Sequence, residues 1–154
     1  MRFALVASRF NEPITQTLVD GALAILRQHG VRRDAIRIVW VPGACELPCA
    51  AASVAHALRP QAVIALGCVI KGETPQYLAI GHAVTQGLVQ VSVTEKIPVT
   101  CGVIISDSVA QAKARAGGRV GHRGQEAALA ALEMVNCLRD LRKRSVGKSS
   151  ATTQ

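Results

Sequence analysis

The residues best suited to chemistry sit between apolar and amphipathic stretches. Gly72-Glu73-Thr74 follows the apolar run Ala62 to Ile70 and precedes a stretch opening at Gln76. At a strand-to-helix turn of this kind, free backbone N–H groups and a hydroxyl can receive a phosphate, although a helix cap explains Thr74 equally well. Arg115 carries a planar donor fork and would complete an anion site if its helix ends near this turn or near the same turn of a neighbouring copy; otherwise it is a solvated residue. His122 and Arg123 admit the same two readings. Phe10 lies in the polar loop Ser8-Arg9-Phe10-Asn11, where it either stacks on a planar heterocycle or folds onto its own core. Glu46 follows the turn Pro42-Gly43-Ala44-Cys45 and either binds ligand hydroxyls or caps its helix. Gln76 is polar beside the phosphate turn, yet an amide cannot relay protons as an imidazole does. These residue types describe a pocket for a phosphate and a ring, and no particular reaction.

The elements that would position them alternate. Residues 2 to 7 form a short apolar strand, followed after Asn11-Glu12-Pro13 by an amphipathic helix from about Ile14 to Gln28 that Gly30 stops. Ala35 to Val41 reads as a second strand, Glu46 to Leu58 as a second helix, Ala62 to Ile70 as a third strand and Gln76 to Glu95 as a third helix. A fourth strand, Val99 to Ile105, leads to helices at Ser108 to Ala116 and Gln125 to Leu141, joined by a loop from Gly117 to Gly124. Apolar strands alternating with helices predict an α/β fold: a three-layer α/β/α sandwich on a four-stranded parallel sheet. Ligands of such sheets sit outside the carboxyl ends of the strands, which selects the loops at 8–13, 42–46, 70–76 and 105–107.

Composition narrows the class. A chain of 154 residues, 49% hydrophobic and 18% charged, supports one globular domain, expected at residues 1–141 with a basic tail at 142–154. The four aromatics are too few for a base-stacking nucleic-acid surface. The net charge of +8 gathers toward the end, at Arg139, Arg142, Lys143, Arg144 and Lys148; such a tail is either a solvated end or a contact for a polyanion. Five cysteines with no Cys-x-x-Cys spacing, at 45, 49, 68, 101 and 137, fit buried thiols in a reducing compartment. The histidines show no metal-ligand spacing, so no metal is expected. No Gly-x-Gly-x-x-Gly follows the first strand. The opening residues are too short an apolar run for a signal peptide, and no run is long enough to cross a membrane, so a cytoplasmic location is expected.

Several blocks in order resemble the 6,7-dimethyl-8-ribityllumazine synthase family: Ser8-Arg9-Phe10-Asn11, Val41 through Pro48, Ala65 through Thr74, and Gln111 through Gly117 with Gly124 through Ala128. The resemblance spans nearly the whole chain, through Leu141. It implies a flavodoxin-like topology, a homopentamer with active sites between adjacent subunits, and in many members twelve pentamers closed into a 60-subunit icosahedral shell. The implied reaction condenses 5-amino-6-ribitylamino-uracil with 3,4-dihydroxy-2-butanone 4-phosphate, losing phosphate and two waters, with no external cofactor. By the same resemblance Phe10 stacks on the pyrimidine, while Asn11, Gly43, Ala44 and Glu46 border the ribityl and ring region. Cys68, Val69 and Ile70 line the site with backbone contacts, Glu73 and Thr74 form the phosphate loop, and Arg115 reaches in from the adjacent subunit. Arg123 stands where the family often has lysine, keeping charge but changing donor geometry.

The chain also departs from the family pattern. Gln76 replaces the histidine credited with proton transfer, Cys101 replaces a common aromatic from the neighbouring subunit, and Cys45 replaces another frequent aromatic. A slowed synthase is expected, resting on Arg115 and orientation; the alternative is a non-catalytic flavin- or lumazine-binding, or shell-forming, paralogue. Family members often carry a further segment ahead of the first central strand that pairs with a neighbour. Its shortness here leaves pentamer formation expected and shell closure open.

Overall fold

The computed structural model describes residues 1–149, with side chains through Lys143. The element order is β1 (Phe3–Ser8), α1 (Glu12–Gln28), β2 (Ile36–Val41), α2 (Leu47–Leu58), β3 (Ala62–Ile70), α3 (Gln76–Glu95), β4 (Val99–Ser106), α4 (Val109–Arg115), β5 (Ala116–Gly118), β6 (Gly121–His122) and α5 (Arg123–Ser149). The first four strands make one sheet in the order β2-β1-β3-β4. Every pairing in it is parallel, with Phe3 beside Ile36 and Ala62, and Val63 beside Val99. β1 is buried throughout and β3 is buried except at Ile70, as expected of central strands covered on both faces.

Two apolar layers flank the sheet. On one face Leu5, Ile64, Leu66 and Ile104 meet Leu18, Ala22 and Leu26 of α1 and Ala128, Ala131, Leu132 and Val135 of α5. On the other, Val6, Val63, Ala65 and Val103 meet Leu47, Ala51 and Val54 of α2 and Val84 and Leu88 of α3. This is the expected three-layer sandwich. Small residues let the layers close: a Cβ on Gly124 of α5 would stand 2.1 Å from the Leu18 carbonyl oxygen of α1, so the two helices touch backbone to backbone.

The structure departs from the sequence expectation in two places. The segment 117–124, expected as a loop, holds a small antiparallel pair, β5 against β6. Gly117 and Gly121 adopt positive φ there, which glycine tolerates without steric cost. α5 also continues past Leu141 to Ser149, through residues such as Leu141, Arg142 and Lys143 with high helix propensity. Residues 150–154, the end of the expected basic tail, lie outside the described residues, as do the side chains from Arg144 onward that a polyanion contact through it would use.

Candidate active site

The carboxyl ends of β2, β1 and β3 open into a cavity of about 530 Å³. It straddles the place where the strand order reverses, between β1 and β3, the position such folds use for ligands. Phe10 hangs from the loop after β1 and is 72% exposed, lining the cavity instead of folding onto the core. Asn11, in the left-handed conformation at φ 58°, precedes α1. Its Nδ2 donates to the Cys68 carbonyl oxygen at 2.9 Å, tying the loop after β1 to the end of β3. Asparagine is among the few residues that enter this conformation readily.

The turn after β2 supplies Gly43, Ala44, Cys45 and Glu46 to the same cavity. The Gly43 N–H donates to Glu46 Oε2 at 2.8 Å, so Glu46 holds its own turn and also faces the cavity, joining the two roles the sequence left open. From β3 and beyond come Cys68, Val69, Ile70, Gly72, Thr74 and Gln76. Pro75 is the N-cap of α3 and no side chain caps that helix; Thr74 thus faces the cavity without the capping bond. Glu73 is exposed on the turn and lies outside the cavity lining. Burial pushes the Cys68 thiol up from 9.0 to about 11. It is therefore a neutral wall at physiological pH, not a nucleophile.

Three expected site residues are elsewhere within the single chain. Arg115, at the end of α4, donates to the Val120 carbonyl oxygen at 3.2 Å and to Glu126 Oε2 at 3.1 Å. Arg123 donates to that same Glu126 oxygen at 3.2 Å. Arg115 borders a separate cavity of about 480 Å³ with Gln111, Arg119 and Val120. Cys101 lies in the edge strand β4, half-buried beside the α2–α3 layer. The fork of Arg115 keeps three of its five N–H donors for another partner, held in place by the other two.

Sequence reasoning passed over Tyr77, Ile80 and Glu126. Tyr77 and Ile80 line the main cavity, and the Tyr77 hydroxyl donates to Asp107 Oδ1 at 2.5 Å. That hydrogen bond foremost, with desolvation and the carboxylate charge, raises the phenol pKa and keeps it a protonated donor. Tyr77 is adjacent to Gln76 and one of four aromatics, which was the available signal; Glu126 was signalled by its i,i+3 spacing from Arg123. Among the described residues no group of three or more His, Cys, Asp or Glu is placed to hold a metal ion.

A parallel sheet whose carboxyl edge gathers an exposed aromatic, a turn carboxylate and a strand-to-helix turn around one cavity defines a class: an α/β protein with an open cavity at its topological switch point. The particular family follows from comparison with known proteins. The family model of 6,7-dimethyl-8-ribityllumazine synthase matches residues 1–139. A curated 6,7-dimethyl-8-ribityllumazine synthase of Halorhodospira halophila is 47% identical over 140 residues, covering 91% of this chain and 90% of that protein. One of Kosmotoga olearia is 43% identical over 141 residues, covering 92% and 90%. The chain belongs to the 6,7-dimethyl-8-ribityllumazine synthase family.

Proposed function

We propose that the chain catalyses the condensation of 5-amino-6-ribitylamino-uracil with 3,4-dihydroxy-2-butanone 4-phosphate to 6,7-dimethyl-8-ribityllumazine, a step of riboflavin biosynthesis. The observation that carries this reading is that Phe10 and Thr74 open into one cavity, beside Glu46 and Gln76. Both relatives bear the synthase name, which favours the enzyme over the non-catalytic reading. In the reaction the 5-amino group attacks the ketone and water leaves to give an imine. The proton on the adjacent hydroxyl-bearing carbon is then lost and a C=C bond forms as phosphate departs with the electron pair of its C–O bond. The resulting enol tautomerises to a ketone, and attack of the ribitylamino nitrogen on that carbonyl closes the ring and expels the second water.

Phe10 stacks on the pyrimidine; Asn11, Gly43, Ala44 and Glu46 border the ring and ribityl chain, and the backbone of Cys68, Val69 and Ile70 forms the wall. Thr74 and Glu73 hold the phosphate turn. Gln76 orients a reacting N–H or water and relays no proton, so turnover is slow and rests on binding geometry and phosphate stabilisation. Arg115 turns away from this cavity to Glu126 in its own chain, which supports a site completed by the Arg115, Arg123 and Cys101 region of an adjacent copy. The assembly is a homopentamer, with a 60-subunit shell as its larger form. The free cysteines support a reducing, cytoplasmic compartment; no helix among the described residues is long and apolar enough to cross a membrane. The test is lumazine absorbance over time with both substrates against the spontaneous reaction. Enzyme-dependent product is expected, and a rate equal to background with bound substrate would overturn the reading.

A further inference from the structure

A cavity of about 1000 Å³ lies at the opposite pole of the molecule, at the amino ends of the strands, lined by the ends of α2 and α3 and by the flank of α5. Its wall carries Arg59, Lys96, Arg139, Arg142 and Lys143 against the single carboxylate of Glu95. Its floor is apolar, from Ile97, Pro98, Val135 and Leu138. Dipole compensation explains only part of this charge. Arg59 and Lys96 stand where α2 and α3 end, and a cation there is favourable. Arg139, which pairs with Asp140 at 3.9 Å, Arg142 and Lys143 lie inside α5, which runs on to Ser149, so these cations are not placed by a helix end.

The backbone supplies an independent observation. Of the three non-glycine residues at positive φ among the described residues, two are Arg59 at 45° and Lys96 at 55°. Glycine is the usual residue at a left-handed helix end, and any side chain there costs about 1 kcal/mol. Strain of this kind gathers at functional positions. Here it places two cations at one cavity mouth, and among the described residues neither side chain has an ion-pair partner.

We propose that this cavity binds an organic oligophosphate of nucleotide size, its phosphates between Arg59, Lys96 and the α5 cations and its organic body on the apolar floor. The cavity has the volume of small-molecule sites; no Phe, Tyr or Trp lines it, so the body rests on the apolar floor beside the His56 imidazole. The site is separate from the synthase cavity, with which it shares no lining residue.

The test titrates the full-length protein with adenosine triphosphate, tripolyphosphate and adenosine by calorimetry in magnesium-free buffer. The Arg59→Gly/Lys96→Gly variant removes two charges and relieves the backbone, so it should melt no lower than the parent and retain lumazine formation. Its Kd for adenosine triphosphate should rise about tenfold or more, as charge-assisted contacts are lost. Thr74→Ala should leave that Kd unchanged. Unchanged affinity in the double glycine variant, or loss of binding in Thr74→Ala, would overturn the site. Tripolyphosphate binding as tightly as adenosine triphosphate would overturn the role of the apolar floor.

Discussion

Replacing Arg115 by alanine should divide stability from turnover sharply. The guanidinium is 35% exposed and its ion-pair partner Glu126 is 42% exposed, so solvent screens the pair and its contribution is about 0.2–1 kcal/mol. Arg123 remains on the same Glu126 oxygen, leaving the carboxylate partnered. The thermal midpoint of a chain this size should fall by no more than roughly 2–4 °C. Turnover should respond on another scale, because removing a preorganised donor from the departing phosphate costs about 3–4 kcal/mol, or some 10²–10³-fold. The assay is product absorbance at saturating substrates, with Arg123→Ala as a variant of similar stability cost. Mixing tests the origin of the arginine: in a refolded equimolar mixture of Arg115→Ala and Thr74→Ala chains, about a quarter of sites combine two intact halves if the halves come from adjacent copies. Unchanged turnover in Arg115→Ala would refute the phosphate role. A mixture no more active than its components would refute the shared site.

Phe10→Ala should raise KM for the pyrimidine roughly 5- to 100-fold through lost stacking while shifting stability by less than about 0.5 kcal/mol, read by steady-state kinetics and thermal melting. Gly124→Ala should destabilise by about 3 kcal/mol or more, lowering the midpoint by roughly 10 °C, because the new Cβ meets backbone, the Leu18 carbonyl oxygen, which cannot rotate away. Cys68 predicts alkaline sensitivity. Its folded-state pKa is raised from 9.0 to about 11, so between these values the unfolded chain holds fewer protons than the native one, and stability falls by about 1.4 kcal/mol per pH unit. Denaturant melts at pH 8 to 11 of parent and Cys68→Ser should differ in that slope, with no Cys68 contribution below pH 9.

Legibility in the sequence followed the strength of local signals. β3 and α3 stand at Ala62–Ile70 and Gln76–Glu95 as expected, because an unbroken apolar run and the Pro75 boundary leave little choice. The β5–β6 pair was illegible: strands of three and two residues have no period to read, and their glycines mark a loop and a hairpin alike. The cavity residues were legible where they occupy strand-end loops, as Phe10, Glu46 and Thr74 do. Whether Phe10 faces the core or a ligand, and whether Glu46 caps its turn, are tertiary facts that spacing does not encode. The Tyr77–Asp107 bond joins residues thirty positions apart, and Arg115 meets Glu126 only because β5 and β6 fold α4 back toward α5. Those contacts depend on three-dimensional closure, which a linear reading does not supply.

The same backbone conformation serves the two poles of the sheet differently. At the carboxyl edge Asn11 enters the left-handed region and uses its side chain within the protein, bonding the Cys68 carbonyl and fixing the loop that presents Phe10. That hydrogen bond offsets the conformational cost where it arises. At the amino edge Arg59 and Lys96 bear a similar cost, and no hydrogen bond or ion pair of their side chains among the described residues offsets it. Between the poles, β1 and β3 are packed on both faces, and the two cavities share no lining residue. Changes at distant, unconnected sites add. The synthase chemistry at one edge therefore leaves the cationic cavity at the other free to be shaped by a ligand of its own.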